Sequence, residues 1–357
     1  MRTYLLRLNL DIKGRNFKDQ LRFRLAVSSI KSLSRKNNKV VILSHLGRPR
    51  GVDKKLSLRP LAEALVLASG KSIKFIPHFD FKKAKAEIQA APGGSIFLLE
   101  NLRFLSEETK NSRALAKDLA ALGNRYINDD FATSHRAAAS ILGITEFIPS
   151  KAGNILKKEI RTLKKLKDGP GHPFVLIIGG AKMADKVVLI KYLLPFVDYV
   201  LVGGGPANNF LKINKVDIGS SINEPGLTQT AKMLYRSKKV VIPIDWKKED
   251  GKILDIGPET IKFYSKIIAG ARTIIWNGPM GYFENKKFAV GSEKVAKAIL
   301  KNKRAKTIIG GGETIAALPL KINKQEYGKL FISTGGGAML EFLAGKKLPG
   351  LAVLDLS

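Results

Sequence analysis

Short apolar runs that pass through a bare, glycine-rich loop into a helical pattern recur along this chain. The clearest case runs from Leu330 to Ile332, through Ser333-Thr334-Gly335-Gly336-Gly337, into Ala338 to Leu343 and a closing Gly345. A short apolar run reads as a buried strand, and a glycine after the last periodic residue marks a helix end. The same event follows Phe174 to Ile178 (Gly179-Gly180-Ala181-Lys182), Tyr199 to Val202 (Gly203-Gly204-Gly205-Pro206), Thr273 to Trp276 (Asn277-Gly278-Pro279) and Thr307 to Ile309 (Gly310-Gly311-Gly312-Glu313). Taken singly, each loop reads equally well in two ways. It is a phosphate site, where backbone N–H groups and a helix's first turn meet an anion, or it is a tight turn that needs positive φ. Their recurrence favours the first reading, because loops that end the strands of one parallel sheet converge on its carboxyl edge, where ligands bind.

The first half alternates in the same way. Tyr4 to Leu10, Val40 to Leu43, Ile73 to Ile76, Ile96 to Leu99 and Tyr126 to Asn128 read as strands, with Arg22 to Leu33, Leu58 to Ala68 and Ser112 to Leu122 as helices between them. Such alternation predicts an α/β fold with mostly parallel sheets covered on both faces. Lys151 to Lys167 reads as a long charged helix, closed by Asp168-Gly169-Pro170-Gly171-His172-Pro173, the kind of punctuation that marks a hinge or domain boundary. At 357 residues the chain suits two domains rather than one core, the second beginning near Pro173.

Side-chain alternation along the first strand sends Leu6, Leu8 and Leu10 one way and Arg7, Asn9 and Asp11 the other. An edge strand facing water would show the same pattern. Further strand ends carry Ser44-His45-Leu46-Gly47-Arg48-Pro49, Asn101-Leu102-Arg103 and, after Asn128-Asp129-Asp130-Phe131, His135-Arg136. Each alone reads as an ordinary surface loop. Together they gather like charges, and two of these about 4 Å apart near a protein surface repel by about 4 kcal/mol. The cluster therefore calls for an anion, which points to a small phosphorylated acid in the first half and nucleotide phosphates in the second.

Composition changes this picture in one respect. With 45% hydrophobic residues the chain can bury two cores, and no apolar run reaches the roughly 18 residues of a membrane span. The opening Met1-Arg2-Thr3-Tyr4 gives no export signal, so cytoplasm is the expected compartment. Zero cysteines exclude disulfides and thiol chemistry. The charge is unusual: 62 Lys and Arg against 30 Asp and Glu give +32, far more than one anion site uses. The excess is spread over amphipathic helices such as Lys157 to Lys167, which reads as a solvated surface or as a field that attracts nucleic acid nonspecifically at low salt.

Several segments together are more specific than any single loop. Ser44 to Pro49, Leu99-Glu100-Asn101-Leu102-Arg103-Phe104, Gly179 to Lys182 with Asp185-Lys186, Trp276-Asn277-Gly278-Pro279-Met280-Gly281 with Phe283-Glu284, and Ser333 to Ala338 resemble the signature segments of the phosphoglycerate kinase family. They occur in the family's order and cover nearly the whole chain, whereas Walker A and G-x-G-x-x-G patterns are absent.

The resemblance implies two Rossmann-like domains: 1–150 for 3-phosphoglycerate or 1,3-bisphosphoglycerate, a hinge helix at 151–168, 169–340 for ATP or ADP with Mg²⁺, and 341–357 returning to the first domain. It implies a monomeric enzyme whose cleft closes for reversible phosphoryl transfer. Carried over by position, Arg7, Asn9, Asp11, Arg22, His45, Arg48, Arg103, His135 and Arg136 would bind the acid, with Arg22 nearest the moving group. Gly180, Ala181, Lys182, Lys186, Gly204, Gly205, Asn277, Pro279, Glu284, Gly310, Gly311, Gly312, Glu313 and Thr314 would hold the nucleotide, Glu284 through ribose hydroxyls. Arg22, Lys182, Lys186, Gly312 and Gly336 would serve catalysis, and Ser333, Thr334, Gly335, Gly336 and Gly337 would cradle the transferring phosphate. Glu313 would meet the metal of the Mg-nucleotide. Transfer between a carboxylate and a nucleoside diphosphate needs in-line positioning and charge compensation but no general base, so no catalytic dyad is expected.

The sequence also departs from the family. Arg-x-Asp-x-Asn is the usual first strand, whereas Arg7, Asn9 and Asp11 exchange carboxylate and amide, a displacement of about 6.5 Å along a strand. Glu313 replaces an Asp, Ala138 a histidine, and the region from Asp245 to Pro258 is shorter than usual. These changes, with the +32 charge, define the alternative: a catalytically weakened relative that binds polyanions such as RNA.

Overall fold

The computed structural model describes residues 2–12, 20–34, 37–319 and 325–356. It divides into two compact units, residues 1–161 with 347–357, and residues 162–346. The first unit is built on six strands: β1 (Thr3–Arg7), β2 (Lys39–Leu43), β3 (Ile73–Ile76), β4 (Ile96–Leu99), β5 (Arg125–Asn128) and β6 (Ser150–Ala152). Their order is β3-β4-β2-β1-β5-β6, and every pairing is parallel. Helices at Leu21–Leu33, Arg59–Ser69, Phe81–Ala90 and Arg113–Ala120 lie between the strands in sequence. All five residues of β2 are buried, as expected of a strand covered on both faces.

The first strand is shorter than its hydrophobic pattern predicts. Pairing with β2 and β5 ends at Arg7, and the ladder is then replaced by Leu8 N–H on the Leu43 carbonyl (3.1 Å) and Leu10 N–H on the Ser44 hydroxyl (3.1 Å). The alternation nevertheless continues, since Leu6, Leu8, Leu10 and Ile12 all enter the same core with Phe23, Ile30 and Leu61. Asn9 and Asp11 therefore sit on a loop beyond the sheet rather than on its face.

The long charged helix starts at Asn154, not Lys151, because residues 150–152 pair with β5. Its start is fixed by Asp129, whose carboxylate accepts from Ile155 N–H (2.9 Å), Leu156 N–H (3.0 Å) and the Ser29 hydroxyl (2.6 Å). The segment returning to the first unit begins at Lys347 rather than Glu341. Residues 337–343 form a helix that packs on the helix Ala184–Leu193, and a Cβ at Gly345 would lie 2.7 Å from the Tyr192 ring, so this stretch belongs to the second unit. From there Gly350 N–H donates to the Ser134 carbonyl (2.9 Å) and Ala152 N–H to that of Asp355 (3.0 Å).

The second unit has a sheet of β7 (Phe174–Ile178), β8 (Tyr199–Val202), β9 (Val240–Val241), β12 (Thr273–Asn277), β13 (Lys306–Gly310), β14 (Glu326–Tyr327) and β15 (Leu330–Ser333), in the order β14-β15-β13-β12-β7-β8-β9. Its pairings are parallel except for β14 with β15. The shortened region holds a hairpin, β10 (Trp246–Glu249) and β11 (Lys252–Ile256), turned by Asp250 (φ 47°) and Gly251 (φ 71°). Two consecutive positive φ values match the twist of a two-residue hairpin turn. No described helix is long and apolar enough to cross a membrane.

Candidate active site

Strand order locates the ligand edge of each unit. In the first, successive strands run outward from β1 through β2 on one side and from β5 to β6 on the other, so the order reverses between β1 and β5. An open α/β sheet binds its ligand beyond the carboxyl ends at such a reversal. Arg7 ends β1, and Asp129 and Asp130 follow β5 directly.

Arg7 is almost fully buried, at 1% exposure. Its Nε donates to the Ser140 hydroxyl (3.0 Å), Nη1 faces Asp130 (3.2 Å), and Nη2 lies 2.7 Å from His45 Nδ1. His45 follows β2 on a loop stapled by the buried Asn101, which accepts from Leu46 N–H (3.2 Å) and donates to the carbonyls of Leu46 (2.8 Å) and Leu56 (2.9 Å). The same amide oxygen accepts from Arg103 N–H (3.1 Å), and Arg103 Nη1 donates to the Gly47 carbonyl (2.6 Å). Asn9 donates to Asp130 (3.1 Å), Asp11 accepts from Gly47 N–H (3.0 Å), and Arg22 Nη1 donates to the Asp11 carbonyl (3.0 Å). Arg136 Nε reaches His135 Nε2 at 3.3 Å. Arg48 is exposed on the His45 loop.

Electrostatics shows that these groups share one neighbourhood. Burial, followed by Arg7, Arg103, Arg136 and Arg22, holds the His45 imidazole well below its usual range. Burial, with Arg136 and Arg7, lowers Arg103 to about 10 against the pull of Asp11 and Asp130. Arg7, Arg22, Arg103 and Arg136 therefore lie around a neutral histidine.

This has a measurable effect on stability. A histidine whose folded pKa is depressed contributes stability that is complete above about pH 6.5 and is lost as pH falls toward the folded value. Between pH 7.5 and 5.5 the protein should lose more stability than the His45→Gln variant. Urea unfolding at the two pH values measures this, and parallel losses in both proteins would refute the assignment.

In the second unit the order reverses between β7 and β12. The loops there are joined backbone to backbone: Gly179 N–H to the Asn277 carbonyl (3.0 Å), Gly180 N–H to that of Pro279 (2.8 Å), Gly205 N–H to that of Gly180 (2.8 Å), and Gly204 N–H to that of Met280 (2.9 Å). A Cβ on Gly205 would stand 2.0 Å from the Ala181 carbonyl oxygen, which explains a glycine there. Asn277 donates to the Gly310 carbonyl (2.7 Å), and the Thr314 hydroxyl donates to it (2.9 Å) while accepting from Gly278 N–H (2.7 Å). These two buried side chains brace the edge from below.

Open space remains around Gly312 and Gly336, where a Cβ would meet nothing within 4 Å. Gly311 (φ 98°) and Gly336 (φ 45°) hold backbone conformations that suit glycine. Ser333 is buried and accepts from Gly335 N–H (3.1 Å), which ties the turn to β15. Lys182 is exposed on the loop after β7. Lys186 is half-buried, and burial lowers its pKa against the opposing pull of Asp185 and Glu313. The carboxylate of Glu224 accepts from the N–H groups of Met183 and Ala184, closing the helix start beside Lys182. Glu284 is exposed on the turn that follows Gly281.

Sequence reasoning passed over Asp130, Ser140, Glu108 and Glu224. Each is an ordinary polar residue in its own segment, and its partner lies far along the chain.

Two open, mostly parallel sheets, with a basic cluster at one reversal of strand order and glycine backbone at the other, define a two-domain Rossmann-like protein suited to phosphorylated ligands. The family sequence model described as Phosphoglycerate kinase matches residues 2–346. The chain belongs to the phosphoglycerate kinase family. It is 40% identical to a phosphoglycerate kinase of Dictyoglomus turgidum over 371 residues, covering 97% of this chain and 93% of that protein. Against one from Pseudothermotoga lettingae it is 40% identical over 379 residues, covering 98% and 95%. Solved structures agree. Phosphoglycerate kinase from Pyrococcus horikoshii superposes with a TM-score of 0.84 at 30% identity, covering 99% of this chain and 96% of that one. That from Coxiella burnetii gives 0.80 at 32% identity, covering 99% and 95%.

Proposed function

We propose that the protein catalyses reversible phosphoryl transfer between 1,3-bisphosphoglycerate plus ADP and 3-phosphoglycerate plus ATP. The observation that carries this reading is the set of arginines around neutral His45, whose mutual repulsion an anionic substrate relieves. Arg22, Arg103 and Arg136 supply charge to the phosphorylated acid, Arg48 its outer contact, and His135, Asn9 and Asp11 polar contacts. Arg7 acts from behind, since its side chain is buried and engaged.

On the second unit, Lys182 and Lys186 compensate charge on the nucleotide phosphates, and the open backbone at Gly312 and Gly336 admits the transferring group without a side chain in the way. Asn277 holds the shape of the edge, and Glu284 takes the ribose hydroxyls. Glu313 fits the metal's chemistry as a single carboxylate near Lys186, because Mg²⁺ takes one or two carboxylates and completes its shell with water and substrate phosphates. When bound, Mg²⁺ screens the phosphate charge. Acid and nucleotide are assigned to separate units, so a hinge at the helix 154–168 would bring the two bound substrates together and exclude water.

A coupled assay on the purified protein tests this reading. With saturating 3-phosphoglycerate, ATP and Mg²⁺, turnover should rise well above background in proportion to protein. Background turnover accompanied by RNA binding with a steep salt dependence would replace the kinase with a polyanion-binding protein.

A further inference from the structure

Asp130 lies outside the residues assigned to substrate, yet its carboxylate is completely buried against the equally buried Arg7. Thr133 anchors it twice, through the backbone N–H (3.1 Å) and the hydroxyl (2.6 Å). Asn9 donates its amide to the same carboxylate (3.1 Å). Arg7 is held on its other side by Ser140, whose hydroxyl donates to Glu108 (2.6 Å). With Nε turned to Ser140 and Nη1 to Asp130, Nη2 is left on His45 Nδ1 at 2.7 Å.

The chemistry of that contact is restrictive. A guanidinium only donates, so Nδ1 accepts and carries no proton. A neutral imidazole in this position must carry its hydrogen on Nε2. Among the described residues Nε2 meets no hydrogen-bonding partner, which leaves that N–H for an anionic ligand.

We propose that Asp130 is a positioning residue for the acid-binding cluster: it fixes Arg7, and Arg7 in turn fixes His45 as the tautomer that donates through Nε2. The geometry follows from topology. Arg7 ends β1, Asp130 follows β5, and the strand order reverses between these two strands, so the carboxylate reaches the cluster from the opposite side of the ligand edge. Asn9, two residues after Arg7, points its amide at the same carboxylate and so ties the end of β1 to the turn after β5. The inference rests on the acid-binding role given to His45 above.

Nitrogen-15 NMR of His45 in the ligand-free wild-type protein tests the tautomer without any substrate. The expected spectrum shows a protonated Nε2 and an acceptor-type Nδ1, and a proton on Nδ1 would overturn the proposal. Asp130→Asn keeps the shape and one acceptor oxygen, whereas Asp130→Ala removes both. The expected loss of 3-phosphoglycerate affinity by calorimetry is about tenfold for the first, with a larger loss for the second and nucleotide affinity unchanged. His45 should become a mixture of tautomers in step with that loss. Unchanged acid affinity and an unchanged tautomer in folded Asp130→Ala would refute the positioning role. Should these variants fail to fold, Thr133→Val loosens the carboxylate without stranding a buried charge, and it should shift both readouts in the same direction or refute the role. Failure of the kinase reading is distinguishable, because the wild-type protein would then bind no 3-phosphoglycerate while the tautomer stands.

Discussion

Lys182→Ala is expected to lower turnover by about three orders of magnitude while leaving the affinity for 3-phosphoglycerate within about twofold. The residue is exposed on the loop after β7, so its removal opens no cavity and strands no buried partner. In the proposed mechanism it compensates negative charge on the nucleotide phosphates and the moving phosphoryl group, not on the acid. A cation aimed at charge that develops during transfer typically contributes about 3–4 kcal/mol, enough to account for the loss. Steady-state kinetics with calorimetric binding of the acid measures both halves. A variant with wild-type turnover would remove Lys182 from the mechanism. One that lost acid affinity instead would move its contact to the other substrate.

Gly278→Ala should cost about 3 kcal/mol or more of stability and abolish nucleotide binding. Two independent constraints meet at this residue. Its φ is 94°, and an added Cβ would stand 2.1 Å from the Gly179 carbonyl oxygen. A flexible side chain would give way, but this neighbour is backbone at the end of β7, fixed to Asn277 by a hydrogen bond. The strain would therefore spread across the β7 and β12 loops, where the nucleotide is assigned. Gly226→Ala is the control, since a Cβ there meets nothing within 4 Å and should change stability by no more than about 0.5 kcal/mol. Urea unfolding and the nucleotide-induced rise in melting temperature report the two effects. Equal stability for both variants would show that the loops give way easily.

Why some of this was legible in the sequence and some was not follows from the range of the interactions. Runs such as Val40–Leu43 and Phe174–Ile178 are buried throughout, so their apolar pattern marks them as strands of a covered parallel sheet. The glycine loops were legible because a bare backbone has few alternative uses. The length of β1 was not, since the ladder stops at Arg7 and the Leu10 N–H goes to the Ser44 hydroxyl, a decision made 34 residues away. The strands Val240–Val241 and Glu326–Tyr327 have two residues each and carry no periodicity to read. Asp130 was missed for the same reason as β1: its meaning depends on Arg7, which is local only once the strand order is known.

The return of residues 347–357 to the first unit bears on how the protein is made. Residues 162–346 form an insertion between the two parts of that unit. Gly350 N–H holds the Ser134 carbonyl, immediately before His135 and Arg136, and Asp355 closes the edge of β6. A ribosome completes the second unit before it has supplied these residues. The turn that carries His135 and Arg136 thus waits for its last support until the whole of the second unit has been synthesised. Joining the two parts over so long an insertion adds little to the closure entropy, which grows only with the logarithm of length. Synthesis therefore places completion of the first unit after every residue of the second has been made.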